Sequence, residues 1–261
     1  MSAKPMDGRV VAAPEGRYPW RQFAILVVAG TVAALLVISY QLALLPLGPN
    51  APPLAQIVVT GIVNGAIQIA VAVGVGLLVA RSVGLRAPVT EAIASGGDVH
   101  RALREIDPVR AILLGAGASV AVIILAVTVF AGATASIASA AAQPGRFLGL
   151  LASFEGGITE EILLRLFVMS VLAWLLARIW RDRPPAVFWT ANIVAAVLFG
   201  LGHLPATAAL VALTPLVIAR AVVLNGVVGV VAGWLYWRRG LESAMVAHFS
   251  ADIVLHVLAG G

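Results

Sequence analysis

Cysteine is absent from the 261 residues of this chain, and charged residues make up only 11% of them. The lack of cysteine excludes disulfide bonds and thiolate chemistry, and it leaves His, Asp and Glu as the side chains that could hold a metal ion. With 61% hydrophobic residues, the chain lacks the polar surface that a water-soluble domain of this size needs. Composition therefore indicates an integral membrane protein with the lipid bilayer as its immediate partner.

The formal net charge of +5 raises the question of nucleic-acid binding, but the distribution of the charges argues against it. Almost all lysines and arginines lie in the N-terminal tail and in the segments 81–110, 178–183 and 238–239. These segments flank apolar stretches, as the positive-inside rule expects of cytosolic loops. We therefore expect no nucleic-acid partner.

The hydrophobic pattern predicts an all-α protein, a polytopic bundle of transmembrane helices. Residues 23–80 contain no charged residue, and prolines between positions 46 and 53 divide them into two spans. Five further apolar segments follow, which gives seven spans; eight would result if residues 206–237 crossed the membrane twice. The predicted spans are residues 23–45, 54–80, 111–130, 147–176, 186–201, 217–237 and 241–258.

The positions of the arginines favour seven spans and predict an orientation. With the N-terminus in the cytosol, seven spans put all three arginine-bearing segments on the cytosolic side, whereas eight would put Arg238 and Arg239 outside. Residues 1–22 are interpreted as an uncleaved cytosolic tail, and residues 23–261 as the transmembrane domain. Residues 90–107 are predicted to form a surface helix. The composition is typical of a bacterial inner-membrane protein.

Glu160, Glu161 and Arg165 interrupt the fourth predicted span. A charged side chain at the bilayer centre costs roughly 2.5–3.5 kcal/mol or more, so such residues are usually functional. Glu161 and Arg165 are four residues apart and share a helix face, which predicts a buried ion pair. Glu160 is offset by about 100° and can face water. We predict that the pair supports a site at which Glu160 transfers protons.

Two later spans carry histidines. His203 ends the fifth predicted span one turn after Phe199, where its imidazole can turn inward. In the last span His248, Asp252 and His256 recur every four residues and share one face. A carboxylate one turn from an imidazole can orient it and raise its basicity, so Asp252 is predicted to orient His248. His256 lies near the outer end and is expected to be only interfacial.

Three segments resemble a known set of ordered motifs. EEILLR (Glu160–Arg165), FGLGH (Phe199–His203) and HFSAD (His248–Asp252) resemble EExxxR, FxxxH and HxxxN/D. These motifs mark the CAAX-protease and bacteriocin-processing family of intramembrane endopeptidases (Rce1-like), and the resemblance covers residues 147–258. It implies a membrane-embedded endopeptidase that hydrolyses a peptide bond of a membrane-associated protein or peptide. The implied catalytic residues are Glu160, which would activate water, and Glu161, Arg165, His203, His248 and Asp252.

Asp252 stands where the family more often has asparagine. An ionised carboxylate cannot donate a hydrogen bond, so orientation of a histidine or metal binding is favoured over an oxyanion-donor role. Two schemes stay open for the reaction. In one, Glu160 deprotonates water without a metal, and His203 and residue 252 stabilise the oxyanion. In the other, the cofactor is Zn²⁺ held by Glu160, His203 and His248, although the zinc motif HExxH is absent from the sequence.

Two other classes of function stay open beside the protease. The buried polar residues could form a relay in a proton-coupled transporter or channel. A non-catalytic member of the family could instead act as a scaffold or as a bacteriocin-immunity protein. No internal repeat is visible in the sequence, which weakens the case for an inverted-repeat transporter.

Overall fold

The computed structural model describes residues 18–44 and 51–259, and within these ranges all regular structure is helical. Seven helical segments are long and apolar enough to cross a membrane. They are called spans 1 to 7 and cover, in order, Trp20–Leu44, Leu54–Ser82, Val99–Val127, Arg146–Ile179, Pro185–Ala208, Pro215–Arg239 and Leu241–Leu258. The predicted all-α bundle of seven spans is confirmed, and the chain is an integral membrane protein.

Several spans contain more than one helix. Span 1 consists of Trp20–Leu36 and Ile38–Leu44, span 3 of Val99–Ile106 and Pro108–Val127, and span 5 of Pro185–Gly202 and Leu204–Ala208. Span 4 consists of Arg146–Phe154, Glu155–Glu160, Ile162–Met169 and Ser170–Ile179. Span 7 consists of Leu241–Asp252 and Ile253–Leu258. A separate helix, Ala131–Ala140, follows span 3. Of the predicted tail, residues 1–17 lie outside the described residues, as do Pro46 and Pro49.

Residues 88–106 form two short helices, where the sequence had predicted one surface helix over residues 90–107, and the second of the two is the first part of span 3. Pro88–Ser95 ends at Gly96, whose φ of 71° is a left-handed conformation that glycine adopts without strain. Val99–Ile106 then begins after Asp98, whose side chain accepts a hydrogen bond from Arg101 N at 2.9 Å. The C-cap at Gly96 and the N-cap at Asp98 are only two residues apart, and together they divide residues 90–107 into two helices.

Spans 6 and 7 lie at the centre of the bundle. Span 6 packs against spans 3, 5 and 7, while span 7 also packs against spans 3 and 4. The inner faces carry small residues, such as Ala244, Ala247 and Ala251 of span 7, which are all buried. Small residues allow the backbones of membrane helices to approach closely. Many large apolar side chains on the outer faces are exposed, as lipid-facing side chains are, for example Ile67 and Leu78.

A buried polar network joins the loop to the start of span 7. Glu242 accepts hydrogen bonds from the backbone nitrogen of Thr90 at 2.8 Å and from its hydroxyl at 2.9 Å. Gln22 of span 1 donates to the same hydroxyl at 3.1 Å, and Leu241 N donates to Arg86 O at 3.0 Å. The network fixes the end of the span that carries His248 against span 1 and the loop.

Gly115 provides a test of the close contact between spans 3 and 7. A β-carbon on Gly115 would overlap the carbonyl of Ala247, whereas one on Gly117 would meet open space. We expect Gly115→Ala to destabilise the purified protein in detergent by about 1–3 kcal/mol through overpacking. The matched Gly117→Ala should leave the melting temperature unchanged or raise it, because alanine is the better helix former. Equal melting temperatures for the two variants would contradict this packing.

Candidate active site

The part of span 4 that carries Glu160 is not a regular α-helix. Glu155–Glu160 and Ile162–Met169 are π-helical, a form that is rare and frequently found at functional sites. Gly156 lies within the first of these segments, and a β-carbon there would collide with the carboxylate of Asp252 on span 7. The missing side chain at Gly156 therefore allows span 7 to bring its polar residues against the glutamates of span 4.

Glu161 and Arg165 form the predicted buried ion pair. Glu161 Oε1 lies 3.0 Å from Arg165 Nη1, and both side chains are almost completely buried. The contact is an ion pair by distance rather than an aligned hydrogen bond, because Nη1 has no hydrogen-bond partner. Arg165 Nη2 donates instead to Gly229 O of span 6 at 2.8 Å. The guanidinium also lies 5.2 Å from the ring centroid of Phe199 in span 5, so three spans surround it.

Glu161 also orients His248. Its Oε1 lies 2.7 Å from His248 Nδ1. An ionised carboxylate only accepts, so Nδ1 carries the hydrogen and Nε2 is left to face other partners. The sequence had predicted Asp252 in this orienting role, but Asp252 Oδ1 is 3.8 Å from His248 Nε2, beyond hydrogen-bonding distance. The correct partner is 87 positions away in the chain, so local spacing could not identify it.

His203 ends helix Pro185–Gly202, as predicted, and its imidazole is held by its own helix. Nδ1 lies 2.9 Å from Phe199 O. A carbonyl oxygen only accepts, so Nδ1 is the protonated nitrogen and Nε2 points elsewhere. The ring of Phe199 makes edge contacts with both imidazoles, at centroid distances of 4.9 Å to His203 and 5.4 Å to His248. Phe199 therefore packs between the two histidines.

Glu160 lies between these two imidazoles. Its Oε1 is 3.9 Å from His203 Nε2, and its Oε2 is 3.7 Å from His248 Nε2. Its side chain is 21% exposed, whereas that of the adjacent Glu161 is 0% exposed. Both separations are too long for direct hydrogen bonds but can be bridged by one water molecule. The structure thus brings together the predicted residues of spans 4, 5 and 7.

Asp252 contacts two histidines of its own span. Its Oδ1 lies 3.8 Å from Nε2 of His248 and 3.8 Å from Nε2 of His256. His256 lines the same cavity as Glu160, and its ring makes an edge contact with Tyr40 of span 1. The polar face of span 7 therefore continues along the cavity for one more turn, and the interfacial position of His256 stays a prediction.

These side chains line a cavity of about 740 Å³ between the spans. This volume falls within the ~300–1,000 Å³ of small-molecule sites. The polar residues around it are Tyr40, Gln41, Glu155, Glu160, His203, Arg220, Asn225, His248, Asp252 and His256. Sequence reasoning passed over Glu155, Arg220 and Asn225. A signal was available for Glu155 and Arg220, since each is an ionisable residue inside an apolar span.

The predicted zinc ligands are Glu160, His203 and His248. The chemistry of the donors is suitable, because each histidine donates its Nδ1 hydrogen to a carboxylate or carbonyl and leaves Nε2 for a ligand. Among the residues that the structure describes, however, no group of three or more His, Asp or Glu side chains converges closely enough to hold a metal ion. The side chains as placed do not form the predicted ligand set, and the use of zinc stays a prediction.

Comparison with known families agrees with the motifs. Residues 141–254 match the family model described as type II CAAX prenyl endopeptidase Rce1-like. The predicted family resemblance is confirmed. The match contains all three motifs and supports a membrane endopeptidase of the CAAX-protease type. Searches of the curated proteins and of the solved structures each found no match.

Arg165→Ala tests the support that the ion pair gives to the site. The substitution leaves the carboxylate of Glu161 buried without its counter-charge, and breaking such pairs typically costs about 3–5 kcal/mol. We expect a lower yield of folded protein and, because Glu161 holds His248, lower activity in the fraction that folds. Arg178→Ala, which removes an exposed arginine from the same span, is the control. An unchanged folded yield of Arg165→Ala would count against the pairing.

Proposed function

We propose that this protein is an intramembrane endopeptidase that hydrolyses a peptide bond of a membrane-associated protein or peptide, with Glu160 activating water. The observation that supports this proposal is the position of Glu160 between the Nε2 atoms of His203 and His248 at 3.9 and 3.7 Å. The match of residues 141–254 to an endopeptidase family adds independent support.

In the proposed reaction, water binds between the carboxylate of Glu160 and Nε2 of His248. Glu160 accepts a proton from the water as its oxygen attacks the carbonyl carbon of the scissile peptide bond. The carbonyl oxygen becomes an oxyanion, and His203 in its protonated form donates Nε2–H to it. Glu160 then delivers its proton to the nitrogen of the leaving amine, the C–N bond breaks, and the carboxylate is regenerated.

The other predicted residues support this chemistry in the proposal. Glu161 accepts from His248 and is itself neutralised by Arg165, so the imidazole keeps one tautomer and one orientation. Asp252 lies 3.8 Å from the imidazoles of His248 and His256. None of these steps requires a metal.

Glu160→Gln tests the proposed base. Glutamine keeps the shape of the side chain but cannot accept the proton, so we expect cleavage of a peptide library by the reconstituted protein to fall at least ~100-fold. The melting temperature should stay close to that of the wild type, because Glu160 makes no direct hydrogen bond to any residue that the structure describes. Glu105→Gln, which neutralises a carboxylate on the surface of the loop, should cleave normally.

Three further measurements distinguish this proposal from its alternatives. Activity that survives a chelator supports the metal-free scheme, whereas loss that Zn²⁺ alone restores would replace it with the zinc scheme. Flux of protons or solute across vesicles without any cleavage would favour a transporter. An unaltered cellular phenotype of the Glu160→Gln variant would favour a scaffold or immunity protein.

We further propose that the protein lies in a bacterial inner membrane with its N-terminus in the cytosol. Arg239 Nη2 at the end of span 6 lies 3.9 Å from Asp107 of the hydrophilic loop, and Arg86 pairs with Glu105 within that loop at 3.4 Å. Two arginine-bearing segments thus meet at one end of the bundle. The positive-inside rule places that end in the cytosol.

The absence of cysteine makes this orientation simple to measure. Ser95 is exposed on the loop, and Ser95→Cys would create the single thiol of the chain. We expect an impermeant maleimide to label this thiol in inverted membrane vesicles but not in intact spheroplasts. Labelling in spheroplasts would reverse the proposed orientation.

A further inference from the structure

A second, smaller cavity of about 190 Å³ lies among spans 1, 2 and 4. Val37, Gln41, Glu155 and Leu163 line both this cavity and the catalytic one. The two cavities therefore adjoin each other at these four residues. The volume of the small cavity is below the ~300–1,000 Å³ of pockets that bind whole small molecules. It is therefore suited to a single side chain.

The walls of the small cavity are unusually polar for a membrane interior. Thr31, Gln41, Gln68, Glu155 and Thr159 all line it. Thr159 donates to Gly30 O at 3.0 Å, but the amide side chains of Gln41 and Gln68 make no hydrogen bond within the part of the chain that the structure describes. Both glutamine side chains are exposed. The two amides are available to the main chain of a bound peptide.

Glu155 is the acidic residue of this cavity. It is the single ionisable side chain among the described residues that line the small cavity, and it forms no hydrogen bond or ion pair with any of them. Glu155 also lines the cavity that holds Glu160 and Asp252. An intramembrane carboxylate that has no hydrogen bond or ion pair among the described residues is suited to a cationic partner from a ligand.

We propose that the small cavity is a substrate subsite that binds a cationic group of the peptide, with Glu155 as the specificity-determining residue. The cation is a lysine or arginine side chain near the scissile bond, or the amino terminus of the peptide. Gln41 and Gln68 hydrogen-bond to the adjoining main chain. This inference rests on the proposed endopeptidase function, since it assigns a substrate class to the same site.

Pairs of peptides that differ by one charge test the subsite. Each pair carries either lysine or its uncharged analogue norleucine at one position, scanned along a peptide that the reconstituted protein cleaves. At one position we expect wild-type kcat/KM to favour lysine, and Glu155→Gln to reduce the lysine-to-norleucine ratio at least about tenfold. Glu105→Gln, the exposed control, should keep the wild-type ratio. Acetylation of the peptide N-terminus distinguishes the sources, since it removes the preference only if the amino terminus is the bound cation.

Binding measurements separate this inference from the proposed catalysis. Fluorescence anisotropy of the same labelled peptides is measured with Glu160→Gln and with the double variant Glu155→Gln/Glu160→Gln, neither of which needs to cleave. We expect Kd for the lysine peptide to rise at least about tenfold in the double variant, and Kd for the norleucine peptide to change little. Absence of cleavage by the wild type would remove the proposed function while this binding preference could still be observed.

Three results would overturn the subsite. The first is equal binding of lysine and norleucine peptides at every position by Glu160→Gln. The second is a preference for lysine that survives Glu155→Gln. The third is an equal loss of kcat/KM for both peptides of a pair in Glu155→Gln, which would show that Glu155 acts on the reaction and not on recognition of charge.

Discussion

The site depends on a single buried oxygen atom, Oε1 of Glu161, which contacts both His248 Nδ1 at 2.7 Å and Arg165 Nη1 at 3.0 Å. The carboxylate is 0% exposed, and a charge in such a place is tolerated only when it is paired and hydrogen-bonded. Arg165 supplies the charge and is itself bound to Gly229 O of span 6. The same oxygen thereby connects spans 4, 6 and 7, so the position of the imidazole is coupled to the packing of the bundle.

This contact requires helices that lie very close together. Span 7 can reach the glutamates because span 4 has no side chain at Gly156, and Gly157 would bring a β-carbon to 2.8 Å from Phe249. Both glycines lie in the π-helical segment Glu155–Glu160. Glycine lowers helix stability by about 1 kcal/mol relative to alanine, and a π-helical turn is rarely adopted. Span 4 therefore gives up local stability at the point where the functional groups meet, a conflict that is typical of active sites.

Sequence patterns within a single helix predicted the features that depend only on residues close together in the sequence. Hydropathy gave the seven spans, and four-residue spacing gave the pair of Glu161 and Arg165. Such patterns could not predict which residues contact each other between different helices. The hydrogen bond from His248 to Glu161 joins spans 7 and 4, so spacing favoured the nearer Asp252 instead. The contribution of His256 to the cavity could not be predicted for the same reason, because its position in the sequence does not show which other spans its face meets. Glu155 had a local signal, its charge within an apolar span, that the motifs obscured.

Two adjacent glutamates have opposite surroundings, and this contrast is the best physical argument for the separate roles that we propose for them. Glu161 is enclosed and bound to a guanidinium and an imidazole, so changing its protonation would disrupt the contacts that hold the site together. Glu160 is 21% exposed to the cavity, has no counter-charge closer than 3.7 Å among the described residues, and faces two Nε2 atoms. A group that must gain and lose a proton in each turnover needs such freedom, because every strong partner would oppose one of its two states. The fold meets both needs at consecutive positions, since neighbouring residues of a helix point in different directions and one carboxylate enters the bundle while the other lines the cavity.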